Sequence, residues 1–318
     1  GDTVRLTAGE TGYQATFTHG PDRLLLAWPR FGLSFELRPT TPDKAASFFP
    51  RPAGEAPYVY RQPPQLGDGW RTARARDVGM DEAVLEQLVR RLIAIDPALK
   101  RPPLIHSVLV AHRGRLVLEE YFYGYGRDTP HDTRSAGKSY ASVMLGAAMM
   151  NGVKLSPDSR ITQVMAVRGP FANPDPRKNQ ITLAQLLTHS SGLDGNDKDD
   201  ASVANEETMQ NQRRQPDWWK YTLDAPMAHD PGTRYAYCSA SINLVGGALT
   251  VATHSWLPEL FDRTVAQPLQ FGPYWWNLQA NGEGYQGGGA FIRVIARAYA
   301  EKNDGLRKFL SDQYGHVL

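Results

Sequence analysis

The sequence predicts an α/β fold of the α+β kind, antiparallel strands and helices packed together, behind a small antiparallel β module at the start of the chain. Three observations carry that expectation. Apolar residues alternate with period two from Thr3 to Leu37. Two strand-like runs, Ile105 to Ala111 and Leu116 to Tyr123, are joined by a turn, and the stretch from Arg134 to Gly152 is apolar all round a helix axis.

Taken in order, Val4 and Leu6, then Tyr13, Ala15 and Phe17, then Leu24 and Leu26, then Phe31, Leu33, Phe35 and Leu37 mark four short strands. Turn chemistry separates them at Gly9 to Gly12, Gly20-Pro21-Asp22 and Pro29 to Gly32. This meander occupies residues 1–38 and is too short to be stable unpacked. A proline-rich passage over 39–67 reads as an extended linker. The main domain is expected over 68–318, opening at Asp68-Gly69-Trp70. There Asp81 caps a helix whose inner stripe is Leu85, Leu88, Val89, Leu92 and Ile93. His112-Arg113-Gly114-Arg115 then turns a hairpin that shares one core with the helices. Beyond Gly152, Thr182 to His189 reads as a short helix, Pro231-Gly232 as a turn and Ile242 to Thr253 as a second buried helix. Gly289 to Leu318 reads as two helices broken near Asn303-Asp304-Gly305.

Charge and cysteine content narrow the function classes. The 35 basic and 33 acidic residues are interspersed, leaving a net charge of +2 and none of the one-sided basic field that nucleic acid requires. The one cysteine, Cys238, excludes an intrachain disulfide and any multi-cysteine metal site. The apolar run in the buried helix falls well short of the ~20 residues a membrane span needs. Gly137-Lys138-Ser139 has Asp132 where a phosphate loop needs its first glycine. Gly282 to Gly287 fits the spacing of a dinucleotide fingerprint but has no convincing strand before it, so it reads as a glycine-rich loop. Asp194 to Lys198 reads as a solvated acidic loop, because Lys198 puts a cation where a calcium loop needs an oxygen. The histidines form no ligand pair at metal spacing, so neither a metal nor a cofactor is expected.

Lys138 is the one formal charge between Ser135 and Val153, inside an otherwise apolar helix. An amine in poor solvent favours its neutral form, and Ser135, three residues earlier, lies on the same side of a helix. A hydroxyl and an amine so placed are a candidate nucleophile and its activator. A lysine that snorkels to the surface is the bland alternative, and string and context alone leave both open.

Three strings in order widen the reading: Ser135-Ala-Gly-Lys138, Leu186-Leu-Thr-His-Ser-Ser-Gly-Leu193, and Pro231-Gly-Thr-Arg-Tyr-Ala-Tyr-Cys-Ser239 with Asn243-Leu244 after it. Together they resemble the β-lactamase-related serine hydrolases, the group holding class C β-lactamases, D-alanyl-D-alanine peptidases and esterases built like them. The resemblance spans roughly Gly69 to Arg293. It implies a β-lactamase/DD-peptidase-like antiparallel sheet flanked by helices, with a helical subdomain. It also implies hydrolysis through an acyl-serine, with Ser135 as nucleophile, Lys138 as base, Tyr237 as proton relay and Ser239, where the family usually has Asn, as a substrate-binding residue.

The implied substrate is a small molecule: a carboxylic ester first, then a β-lactam, then a D-amino-acid peptide or other amide. A periplasmic or secreted location is favoured and a cytoplasmic one stays open; oligomeric state is not addressed. No Lys-Thr-Gly or His/Trp-x-Gly string follows Gly289. The expectation is therefore a domain without the usual C-terminal strands, or one in which Gln286-Gly287-Gly288-Gly289 supplies the backbone donors for an oxyanion. The rival from another class is a binding or cell-envelope protein that keeps the fold and has lost the chemistry.

Overall fold

The structure is a computed structural model, which describes residues 3–8, 13–19, 23–28, 33–38, 41, 46–52, 54–97, 99, 102–211, 216–269, 271–272, 274–288 and 290–293. The chain divides into two compact units: residues 1–62, 74–110 and 117–126 in the first, and 63–73, 111–116 and 127–318 in the second. The amphipathic helix and most of the hairpin fall in the first unit and the buried helix in the second.

In the first unit, β1 (Thr3–Ala8), β2 (Tyr13–His19), β3 (Leu24–Trp28) and β4 (Leu33–Leu37) form an antiparallel meander in the order β1-β2-β3-β4. The register sets Val4 opposite Phe17, and Leu26 opposite both Phe17 and Phe35. After β5 (Arg71–Thr72), which falls in the second unit, comes α1 (Glu82–Ile93), whose N-cap is Asp81: its side chain accepts from Ala83 N at 2.8 Å. Leu85 and Val89 are buried as the stripe predicts, but Leu88 is 38% exposed, because the stripe that packs is narrower than the apolar face. The hairpin follows as β6 (Ser107–His112) and β7 (Arg115–Tyr121). Its two-residue turn places Arg113 and Gly114 at φ 50° and 69°, the left-handed pair that suits the strand twist.

In the second unit, β8 (Pro130–Asp132) leads through a 3₁₀ turn, Arg134–Lys138, into α2 (Ser139–Met150). The expected helix from Arg134 is therefore 3₁₀ at its start. Ala141, Met144, Leu145 and Ala148 are buried, whereas Ser139 is exposed and Met149 and Met150 are exposed at 39% and 51%, so the helix is covered on one side and emerges at both ends. α3 (Ile161–Val164), α4 (Leu183–Leu187), α5 (Glu206–Gln210), α6 (Trp218–Asp224), α7 (Ser239–Thr253) and α8 (Leu257–Phe261) follow. Thr182 and Gln185 close a capping box at the start of α4.

The core of this unit joins Met144 and Leu145 of α2 to Ile161, Leu186, Trp219, Leu223, Leu244, Val245 and Phe261. α7 runs through it, buried from Ser239 to Leu249. Its glycines permit close approach: a Cβ on Gly246 would lie 2.8 Å from Gln286 Cβ, and one on Gly247 2.8 Å from Trp219 Cδ2.

β9 (Trp275–Trp276) and β10 (Ala290–Arg293) complete an antiparallel sheet in the order β8-β10-β9. Residues 290–293 are thus a strand where a helix was expected, since Phe291 and Ile292 pair into the sheet opposite Asp132 and His131. The remainder of that expected helical pair, and Tyr314-Gly315-His316, lie outside the described residues. Among the described residues no helix is long and apolar enough to cross a membrane.

Candidate active site

Asp132 ends β8 and turns the chain: its Oδ1 accepts from Arg134 N at 2.9 Å. Arg134 takes φ 45°, a left-handed conformation unusual for a residue with a side chain. The next residue is Ser135, which is exposed, and Ala136 N donates to Thr133 O at 2.9 Å to close the 3₁₀ turn. In a 3₁₀ helix positions i and i+3 eclipse. Lys138 therefore stands over Ser135, its Nζ donating to Ser135 Oγ at 3.1 Å.

Lys138 is only 8% exposed. A second N–H of its amine goes to the Gly287 carbonyl, and the Tyr237 ring centroid lies 5.1 Å from Nζ. Among the described residues no carboxylate pairs with it. Ser135 faces a cavity of ≈ 480 Å³ whose walls include Arg134, Glu206, Trp218, Leu278, Tyr285 and Gly288.

Tyr237 is held from both sides by its own stretch of backbone. Ala236 N donates to His189 O at 2.9 Å, Cys238 N donates to His189 Nδ1 at 3.1 Å, and the Tyr237 carbonyl accepts from Asp197 N at 2.8 Å. The His189 ring lies 4.6 Å from the Tyr237 ring. Burial, then the nearby Lys138 charge, hold the His189 pKa below its ordinary value. No hydrogen bond joins Tyr237 Oη to Ser135 or Lys138 among the described residues. Cys238 caps α7 through Sγ, and burial pushes its thiol up to about 11, so it is no reactive nucleophile at neutral pH. Gly195 lies so near that a Cβ there would come within 2.5 Å of Sγ.

Ser135, Lys138 and Tyr237 are thus brought together, and Ser239 is not among them. Ser239 has no exposed surface, and its N–H and Oγ both donate to Asp197 Oδ2, at 2.8 and 2.6 Å. The hydroxyl of Ser239, expected at the substrate, is thus engaged inside the protein. The expectation of a solvated acidic loop is corrected. Asp197 is half-buried and a structural anchor, and Asp194 Oδ1 accepts from Ser202 Oγ at 2.9 Å, so the loop is tied down rather than solvated.

The glycine-rich string Gly282 to Gly287 is placed beside the Ser135 turn. Leu278 and Gly284 form an isolated antiparallel bridge, and Tyr285 N and O are bonded to Asn277 O and Trp276 Nε1. Gln286 N donates to Asn243 Oδ1 at 3.0 Å and its side chain to the Gly137 carbonyl at 3.0 Å, which locks the string to α7 and to the Ser135 turn. Sequence reading missed Asp197 and Tyr285, and took Gly287 only as a backbone donor. Each stood in a string weighed for a different chemistry, and only the fold shows which way it faces.

Comparison with known proteins agrees with the three strings. The family profile described as Beta-lactamase matches residues 105–298. Solved structures with a similar fold include a protein from Bacteroides dorei DSM 17855 provisionally named a β-lactamase, 21% identical over 58% of this chain and 53% of that one, with a TM-score of 0.46. The penicillin binding protein from Bacillus halodurans is 20% identical over 59% of this chain and 60% of its own, with a TM-score of 0.41. The β-lactamase/D-alanine carboxypeptidase from Yersinia pestis is 15% identical over 53% and 52%, with a TM-score of 0.41. The chain spans about half the length of the first of these, 53%. A comparison with curated proteins gives no match. The profile match covers well over half of the 318 residues and takes in Ser135, Lys138 and Tyr237, and on that ground the chain belongs to the β-lactamase family.

Proposed function

We propose that the protein is a serine hydrolase that cleaves an ester or amide through an acyl-serine intermediate, a small carboxylic ester being preferred over a β-lactam or a D-amino-acid peptide. The observation that carries the reading is the 3.1 Å contact between Lys138 Nζ and Ser135 Oγ, the amine buried and the hydroxyl open to a cavity. A serine hydroxyl is a weak nucleophile until a base within hydrogen-bond reach takes its proton. Lys138 takes the Ser135 proton as Oγ attacks the carbonyl carbon. The tetrahedral intermediate then collapses, the leaving group receives a proton through Tyr237, and water, deprotonated by the same amine, releases the acid. No metal takes part in these steps.

The oxyanion needs backbone donors, each worth ~10² to 10³ in rate. Gln286 N is committed to Asn243; Gly288, which lines the Ser135 cavity, is our assignment within the glycine-rich run.

A fluorophosphonate and an activated p-nitrophenyl ester test the reading. Wild-type protein is expected to be modified at Ser135 and to turn the ester over, while Ser135→Ala does neither. Folded wild-type protein that behaves like Ser135→Ala would overturn it in favour of a non-catalytic binding protein on the same fold.

A further inference from the structure

We infer that Tyr285 is a positioning residue: held by Glu206, its hydroxyl end buttresses Gly287, whose carbonyl fixes the Lys138 amine toward Ser135. This rests on the acyl-serine reading above. The contacts form an unbroken chain. Tyr285 Oη donates to Glu206 Oε1, and Glu206 N in turn donates to Asp197 Oδ1 at 3.1 Å. The Tyr285 ring meets Trp218 edge-on, centroids 5.4 Å apart. A Cβ on Gly287 would lie 2.2 Å from Tyr285 Oη, so glycine is required there and the phenol lies directly against that peptide. The Gly287 carbonyl accepts from Lys138 Nζ. Neighbouring Gln286 is pinned to Asn243 and Gly137, which leaves the position of the Gly287 carbonyl to the packing of Tyr285.

The chemistry gives that carbonyl a task. An amine that must accept a proton from Ser135 has to point its lone pair at Oγ, and on a flexible side chain only its other bonds can hold it so. A carbonyl taking one N–H stops the rotation. Burial and the Glu206 carboxylate raise the Tyr285 phenol well above its ordinary pKa, so it remains a donor to Glu206 at any working pH.

The test uses the full chain and a p-nitrophenyl ester, with active sites counted by fluorophosphonate labelling. Tyr285→Phe is expected to lower kcat per labelled site about tenfold with KM within about twofold, since small misplacements of a catalytic group cost on the order of 10² at most. Glu206→Ala should match it, and Glu206→Gln, whose amide oxygen still accepts, should keep most of kcat. The double variant Tyr285→Phe/Glu206→Ala should be no slower than Tyr285→Phe, because the two residues act as one unit.

A merely structural role would lower the melting temperature and the number of labelled sites while leaving kcat per site unchanged, and that result overturns the inference. If Tyr285→Phe does not fold, the contrast between Glu206→Gln and Glu206→Ala decides in the same way. Wild-type protein unlabelled at Ser135 is a separate outcome, which removes the acyl-serine reading and this inference with it.

Discussion

One carboxylate oxygen, Asp197 Oδ2, accepts both the backbone N–H and the hydroxyl of Ser239, at 2.8 and 2.6 Å. The other oxygen accepts from Glu206 N at 3.1 Å, so Asp197 ties the start of α7 to the start of α5. Both bonds to Ser239 are charge-assisted and enclosed. Asp197→Ala would leave a buried N–H and hydroxyl unsatisfied, at ~1–3 kcal/mol each. The melting temperature should fall by several degrees, with Asp197→Asn in between because it keeps an acceptor. Ser239→Ala should follow the same pattern, losing stability while KM stays put; a raised KM with unchanged melting would restore Ser239 to the substrate.

The buried helix α7 meets Trp219 at Gly247, where a Cβ would come within 2.8 Å of Cδ2 and 2.9 Å of Cγ. The indole is fully enclosed and has no free rotamer to retreat into. Gly247→Ala gains helix propensity of ~1 kcal/mol but forces the helix off the ring, an overpacking cost of ~1–3 kcal/mol. The net expectation is a lower midpoint in urea with an unchanged slope. A higher midpoint would mean that the contact yields.

Much of this architecture could be read from residue pattern, and the failures have a common cause. Alternation located the four strands of the meander, because period two survives whatever packs on it, and the cap at Asp81 followed from local chemistry alone. The contact between Ser135 and Lys138 was legible because a charge inside an apolar run is an anomaly in one dimension. Asp197 and Tyr285 were not, since their contacts join segments 42 and 79 residues apart in the chain. An acidic loop and a glycine-rich loop look the same in sequence whether they are solvated or clamped. For Ser239 the motif frame implied a substrate contact, while the fold gives its hydroxyl to Asp197.

His189 gives a pH dependence with a definite sign. Its ring is half-buried against Tyr235 and Tyr237, and its Nδ1 accepts from Cys238 N. Burial, followed by the charge of Lys138, depresses its pKa below 6.5. The unfolded chain therefore takes up a proton near pH 6.5 that the folded protein resists. The contribution of neutral His189 is complete above that pH and is lost as pH falls through the folded value. His189→Asn tests this. Asparagine tolerates the φ of 55° found here and offers an amide oxygen near the position of Nδ1, but it does not titrate. Between pH 7.5 and 5 the wild-type melting temperature should fall more steeply than that of the variant; parallel curves would place the pH sensitivity elsewhere.

Lys138 carries the sharpest test of whether this site is kept for chemistry. A buried amine whose partners are a hydroxyl, a carbonyl and an aromatic ring, with no carboxylate pairing among the described residues, contributes little net stability. Lys138→Met keeps an apolar stem and removes the desolvated amine, although the Gly287 carbonyl loses its donor. The two effects should nearly cancel, because a buried polar group and an unmade bond to a carbonyl each cost ~1–3 kcal/mol. The variant should melt within about 4 °C of wild type, since about 1 kcal/mol shifts the midpoint by ~2–4 °C in a domain of this size. It should at the same time lose fluorophosphonate labelling of Ser135. A variant that melts well below wild type would show that the amine holds the site together through its two hydrogen bonds. The buried lysine would then be explained by stability, with no need of a reaction.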